Sequence, residues 1–230
     1  MKTFTVLSVW LTYPSEELQQ AVPIMMPLLQ EEGILTADSV ARLAPLLQAL
    51  EHQDRYEPQE QYVSLFDRSR SLSLNLFEHV HGEGRDRGGA MVDLLETYRQ
   101  GGVELISSEL PDHLPVLLEF LSTQPLETAQ DTLADAGHIL VALAERLEKR
   151  RSSYAAVFQA LVAFAHADAS SEQAQELLAQ PTDNPEDLEA LDAVWQEAQV
   201  MFGPMTNESA APQVHEAPIR IHRPLAATDS

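Results

Sequence analysis

The chain has 230 residues, enough for one sizeable core, and its formal net charge of −22 arises from 36 acidic against 14 basic residues. Such a charge argues against non-specific binding to nucleic acid or to an anionic membrane, because both are negative, and it favours a basic or amphipathic cationic partner. With no cysteine, the sequence excludes disulfides, thiolate metal ligands and cysteine nucleophiles.

The N-terminal segment lacks a signal-peptide pattern, since it has one lysine and a short, broken apolar stretch before Tyr13-Pro14. No apolar run reaches the roughly 18 residues that a membrane-spanning helix needs. We therefore expect a cytoplasmic protein that does not insert into membranes.

Helical spacing of apolar residues predicts a first helix that ends at Tyr13-Pro14. A second helix is predicted from Ser15 to Gly33, kinked or split by Pro23 and Pro27. A third begins after the N-cap Thr36 and runs to Leu50.

Pro58 is predicted to be the first residue of a helix that enters the most informative segment, residues 62–91. In that segment an apolar stripe at helical spacing predicts an amphipathic helix up to a glycine-rich turn; its members are Leu72, Leu76, Phe77 and Val80. A further helix is predicted to start near Asp86.

This later helix is predicted to stop at Gly101-Gly102. In the next junction, Glu109-Leu110-Pro111-Asp112-His113-Leu114-Pro115, Asp112 is the predicted N-cap, because a start there leaves Pro115 among the naturally unpaired amides. One long helix is predicted over Glu127 to Arg151, and a last one from Asn184-Pro185 to Phe202.

The chain therefore predicts an all-α fold, a single globular bundle of about eight to ten helices over residues 1–203. Residues 204–230, with four prolines and little apolar periodicity, are predicted to be a disordered tail.

A carboxylate and histidine pattern supports an alternative, a di-metal helical-bundle enzyme. Glu78 and His81 have the Glu-x-x-His spacing of di-iron bundles, and Asp135 and His138 repeat it with a shorter carboxylate. A purified di-metal enzyme would retain iron or manganese that Glu78→Ala and His81→Ala remove together.

Two blocks of the sequence resemble a known family. YVSLFDRSRSLSLNLFEHVHGEGRDRGGAMVDLL over 62–95 and ELPDHLPVLLEFL over 109–121 closely resemble the nitrate reductase assembly chaperones of the TorD-like family of redox-enzyme maturation proteins. The resemblance runs from about Thr5 to Phe202.

The resemblance implies an all-helical chaperone, not an enzyme. Such a protein binds the N-terminal segment of the catalytic subunit of respiratory nitrate reductase and holds the apoenzyme competent for molybdenum cofactor insertion and membrane-complex assembly. It also implies a role in iron–sulfur cluster loading of the client. No cofactor is expected to be bound permanently, because the client handles the molybdenum cofactor. A monomer is expected, and molybdenum cofactor biosynthesis proteins are candidate further partners.

The partner-binding residues predicted from this match lie in a cleft between the helices of the two blocks. In this prediction, Tyr62, Phe66 and Phe77 are apolar anchors. Binding is expected to weaken below about pH 6.5, where His79 or His113 would gain a proton at the ordinary histidine pKa. The full set comprises Tyr62, Phe66, Asp67, Arg70, Leu74, Phe77, Glu78, His79, Asp112, His113 and Glu119.

Overall fold

The computed structural model describes residues 1–81 and 85–182 and the backbone of 221–222. These residues contain eleven α-helices and one sheet of two short strands, so the all-α prediction is confirmed. The elements are α1 Lys2–Trp10, α2 Glu16–Glu32, α3 Ala37–His52, α4 Tyr56–Tyr62, α5 Glu78–His81, α6 Arg85–Gln100, β1 Glu104–Leu105, α7 Leu114–Ser122, α8 Leu126–Asp135, α9 Gly137–Lys149, α10 Ala155–Ala165, α11 Glu172–Ala179 and β2 Ile221–His222.

The core is built where the most apolar helices meet. α1 packs against α7 and α2, while α9 packs against α10 and α11. Phe4, Leu7 and Leu11 are completely buried, and their spacing places them on one face at the α1 end of this core. None of the described helices combines the length and apolarity that crossing a membrane requires.

The predicted helix start at Ser15, the predicted helix end at Gly33 and the predicted N-cap Thr36 are all present. Ser15 accepts a hydrogen bond from the Leu18 N–H, and Thr36 accepts one from the Ser39 N–H. Gly33 ends α2 in the left-handed conformation, with φ of +67°, which glycine adopts without a steric cost.

The structure refines the prediction for one of these helices and corrects it for another. α2 is not split: it runs through Pro23 and Pro27 as a single helix, whose buried face offsets the two lost backbone hydrogen bonds. α4 starts two residues before Pro58, because the Asp54 carboxylate accepts the Tyr56 N–H at 3.0 Å and so supports an earlier start.

The central block is not one amphipathic helix. α4 continues into a π-helical turn over Val63–Asp67, and a 3₁₀ turn over Arg70–Leu72 follows. From Ser73 to Phe77 the chain makes no helix. Leu72, Leu74 and Leu76 are all buried, and so is Ser73 between them, so this segment lacks the single buried stripe of an amphipathic helix.

The predicted long helix over Glu127 to Arg151 is also wrong, because it breaks at Ala136 into α8 and α9. Just after the break, Gly137 lies so close to Ala167 that a Cβ added at Gly137 would be 2.8 Å from the Ala167 Cβ. The chain therefore turns where glycine permits close packing.

The predicted last helix over 184–202 lies outside the described residues, as does the predicted disordered tail except at Ile221 and His222. These two residues form β2, which pairs antiparallel with β1 in the register Glu104 to His222 and Leu105 to Ile221. The sequence did not predict this strand pair.

Candidate functional site

The two sequence blocks meet through their backbones. Asn75 and His113 form an antiparallel bridge. On either side of this bridge, the Leu114 N–H donates to the Leu74 carbonyl at 2.8 Å and the Leu76 N–H donates to the Asp112 carbonyl at 3.0 Å. The structure thus brings the predicted neighbours together, but as a short extended pairing instead of two helices flanking a cleft.

The Asp112 side chain adds a further hydrogen bond between the two paired segments. Its side chain is fully buried, and its Oδ2 accepts the Phe77 N–H at 3.0 Å. The predicted N-cap role is wrong: His113 occupies the N-cap position of α7 and makes no side-chain capping bond. The Asp112 carboxylate caps a different segment, because the extended chain leaves the Phe77 N–H without a helical acceptor.

Arg87 on α6 lies between two carboxylates. Its Nη2 is 3.0 Å from Glu78 Oε1 and 3.9 Å from Asp112 Oδ2, and the Asn75 amide donates to the same Glu78 oxygen at 3.4 Å. Burial raises the pKa of Asp112, while the Phe77 N–H and the Arg87 charge oppose that rise. The site therefore keeps a desolvated acidic group next to one cation.

Both candidate histidines are largely buried. Burial lowers the pKa of His113 to about 4, and its Nδ1 lies 3.9 Å from Glu109 Oε2. Burial also lowers the pKa of His79, whose Nε2 is hydrogen-bonded to the Ser73 carbonyl at 2.8 Å. The expected titration of either ring near its ordinary pKa is therefore wrong, since both remain neutral at lower pH.

Tyr98, which the sequence did not single out for the site, fixes α6 to the entrance of α7. Its hydroxyl donates to the Pro111 carbonyl at 2.6 Å, and its own carbonyl accepts the Val103 N–H at 2.9 Å. The sequence did contain a signal for this contact, because Tyr98 belongs to the apolar stripe of α6. A buried tyrosine hydroxyl usually has a hydrogen-bond partner, so a contact from this position could have been expected.

Three of the predicted binding residues are core residues. Tyr62, Phe66 and Leu74 are all buried. The Tyr62 hydroxyl donates to the Leu11 carbonyl, and the Phe66 ring packs edge-on against Tyr154. Their role as client anchors stays a prediction, and this arrangement gives them a packing role. Phe77 is only partly buried and contacts the His81 ring.

Three predicted residues remain, Asp67, Arg70 and Glu119. Arg70 is exposed in the 3₁₀ turn. The pKa of Asp67 is raised by partial desolvation and by the negative charge of Glu109. Burial also raises the pKa of Glu119, which is on α7, the helix that packs against α1, and the positive N-terminal amine opposes this rise.

Exposed apolar side chains are concentrated in one stretch of the sequence. Of the seven large hydrophobic residues that are exposed in the described part of the chain, four fall between residues 80 and 110. Val80 is on α5 and Val92 is on α6, and these two helices contact each other. Ile106 directly follows β1, which contacts α6, and the Leu110 carbonyl accepts the His113 N–H. We call these four residues the apolar rim: Val80, Val92, Ile106 and Leu110.

The metal-site alternative gains no support from the geometry. Within the described residues, no group of three or more histidine, aspartate and glutamate side chains is placed to hold a metal ion. Glu78 is paired with Arg87 instead.

The structure is thus a helical fold in which the two sequence blocks meet at a buried polar junction. The chain belongs to the nitrate reductase delta subunit family, whose profile matches residues 35–160.

Relatives extend the match to most of the chain. The nitrate reductase molybdenum cofactor assembly chaperone NarJ of Escherichia coli strain K12 is 43% identical over 204 residues, which cover 88% of this chain and 85% of the relative. The probable chaperone NarW of the same strain is 37% identical over 88% of this chain and 84% of its own length. A probable nitrate reductase molybdenum cofactor assembly chaperone NarJ of Bacillus subtilis strain 168 is 34% identical over 70% of this chain and 86% of its own length. The family is one of assembly chaperones, so the prediction of a chaperone without an enzymatic reaction is confirmed at that level.

Proposed function

We propose that this protein is the dedicated cytoplasmic assembly chaperone of a respiratory nitrate reductase. It binds the N-terminal segment of the catalytic subunit and holds the apoenzyme competent for molybdenum cofactor insertion and membrane-complex assembly. The names of the relatives support the client, and the site supports the mode of binding.

The observation that carries the proposal is the Asp112 junction. It joins the two family blocks through the Phe77 N–H and Arg87, and in doing so it fixes the elements that present the apolar rim. Because Asp112 and Arg87 are largely withdrawn from solvent, they position the rim and leave contact with the client to exposed groups.

The rim suits one amphipathic segment. Apolar side chains at Val92, Ile106 and Leu110 offer burial to one face of a client segment, and the exposed carboxylates of Glu104 and Glu109 lie in the same stretch of chain. A client segment with an apolar face and flanking cations satisfies both features. The net charge of −22 favours its encounter with the chaperone.

The cofactors belong to the client in this proposal. The chaperone binds no cofactor permanently, and it acts by keeping the catalytic subunit open until the molybdenum cofactor is inserted. Proteins of molybdenum cofactor biosynthesis are candidate partners at that step. The chaperone acts as a monomer in the cytoplasm and does not bind nucleic acid.

Calorimetric titration with a synthetic peptide of the catalytic subunit's N-terminal segment tests the proposal. We expect saturable one-to-one binding that a scrambled peptide of the same composition does not reproduce. Raising the salt should weaken binding by about tenfold or less, because exposed ion pairs are screened while apolar contacts persist. Equal binding of the native and scrambled peptides would refute recognition of this segment.

A further inference from the structure

The short strand β1 pairs with a strand from a distant part of the chain. β1 consists of Glu104 and Leu105 and pairs antiparallel with Ile221 and His222 near the C-terminal end of the sequence. Within the described residues this is the whole sheet. A short edge with one added strand is the geometry by which sheets capture extended segments.

β1 lies in the proposed client-binding surface. It contacts α6, and Tyr98 of that helix is hydrogen-bonded to both Val103, just before β1, and Pro111, just before the junction. Ile106 of the apolar rim directly follows Leu105. A segment paired with β1 therefore occupies space next to the rim.

The sequence around β2 has the chemistry expected of the client. Ile219, Arg220, Ile221, His222 and Arg223 combine aliphatic and basic side chains, with a proline at each end, positions 218 and 224. Two of the chain's 14 lysines and arginines fall within these five positions. In the strand pair, His222 is the partner of the exposed Glu104.

We propose that the C-terminal segment at Ile221–His222 is an intramolecular competitor for the client, held on β1 until the client displaces it. The inference rests on the proposed function. A two-residue ladder is weak by itself, but attachment to the same chain supplies an effective concentration of about millimolar. Such a competitor is partly bound and easily displaced, so it tunes the affinity without blocking the site.

A disulfide tests the pairing directly, because the chain has no cysteine of its own. The double variant Glu104→Cys/His222→Cys places the two cysteines at paired positions, whose Cα separation of about 4.5 to 5.5 Å in antiparallel strands suits a disulfide. We expect rapid cross-linking on mild oxidation. The matched control Glu104→Cys/Val214→Cys, with the second cysteine eight residues earlier, should cross-link at least about tenfold more slowly. Equal rates would overturn the proposed pairing.

Peptide titration of the same double variant tests competition. The oxidised protein should bind the client peptide at least about tenfold more weakly than the reduced protein, because the competitor can no longer leave. In the full-length chain, Ile221→Pro should tighten binding by about threefold to tenfold, while Val214→Pro should leave it unchanged. Equal affinities of the oxidised and reduced proteins would overturn competition. If the reduced protein does not bind the peptide, both the proposed function and the proposed competition fail. The cross-linking rates still test the strand pair in that case.

Discussion

The buried carboxylate of Asp112 accepts the backbone N–H of Phe77 at 3.0 Å, across 35 positions of sequence. This contact joins the extended segment before α5 to the entrance of α7. Arg87 approaches the same Asp112 oxygen from α6 at 3.9 Å. Three segments that border the apolar rim therefore depend on one carboxylate.

Replacing Asp112 separates its hydrogen-bonding role from its charge. Asp112→Ala should lower the free energy of unfolding by about 1 to 3 kcal/mol, because the Phe77 N–H loses its acceptor in a buried setting. Asp112→Asn keeps an acceptor and removes a desolvated charge, so it should cost less than Asp112→Ala. Urea unfolding of both variants provides the measurement, and equal losses would mean that the charge, not the hydrogen bond, holds the junction.

The buried imidazole of His113 should make the protein sensitive to acid. Its pKa is about 4 in the folded protein, against about 6.5 in the unfolded chain. Between these values the unfolded state takes up a proton that the folded state does not, so stability is fully present above about pH 6.5 and falls as the pH drops towards 4. The loss attributable to His113 should reach up to about 3 kcal/mol.

The variant His113→Gln isolates this effect, because His79 and Asp112 remain in both proteins. Urea unfolding from pH 7 to pH 4 should give a shallower decline for His113→Gln than for the parent. Parallel declines in the two proteins would contradict the assignment of the acid sensitivity to His113.

The break between α8 and α9 should depend on the close approach at Gly137. Gly137→Ala should destabilise the fold by about 1 to 3 kcal/mol, since its Cβ would lie 2.8 Å from the Ala167 Cβ. Gly89→Ala is the matched control: it lies inside α6 with no atom within 4 Å of the added Cβ, so it should stabilise by about 0.5 to 1 kcal/mol. Thermal unfolding of the two variants should therefore shift in opposite directions.

Much of the helical architecture follows from local sequence. Ser15, Gly33 and Thr36 each have a side chain or a backbone freedom that marks a helix end without help from distant residues. Leu72 and Leu76 fit a helical stripe, but the burial of Ser73 and Leu74 between them comes from tertiary packing that this local pattern does not predict.

The site itself depends on contacts that no local pattern specifies. Asp112 precedes a helix and so resembles an N-cap, but its acceptor is used by Phe77, a residue far away in sequence. The position of Arg87 between Glu78 and Asp112 likewise requires α6 to fold back beside the junction. The family blocks identified two segments that pair in the structure, whereas burial decided which residues within them are accessible.

Phe66 tests whether the buried aromatic residues act as client anchors. Its ring packs against Tyr62 and Tyr154 at 5.0 and 5.1 Å, so Phe66→Ala should lower the free energy of unfolding by about 3 to 5 kcal/mol. At temperatures where the variant remains folded by circular dichroism, its affinity for the client peptide should stay within about twofold of the parent. A folded variant that no longer binds would restore the anchor role.

The most direct test of the proposed client surface is calorimetric titration of the client peptide into two matched variants. Val92→Ser/Ile106→Ser removes two rim residues that are 63% and 55% exposed, and Ile24→Ser/Tyr56→Ser removes two residues that are 63% and 67% exposed on α2 and α4. The rim variant should bind at least about tenfold more weakly, while the control should stay within about twofold of the parent. Unchanged binding by the rim variant, or an equal loss in both, would contradict a client site on the apolar rim.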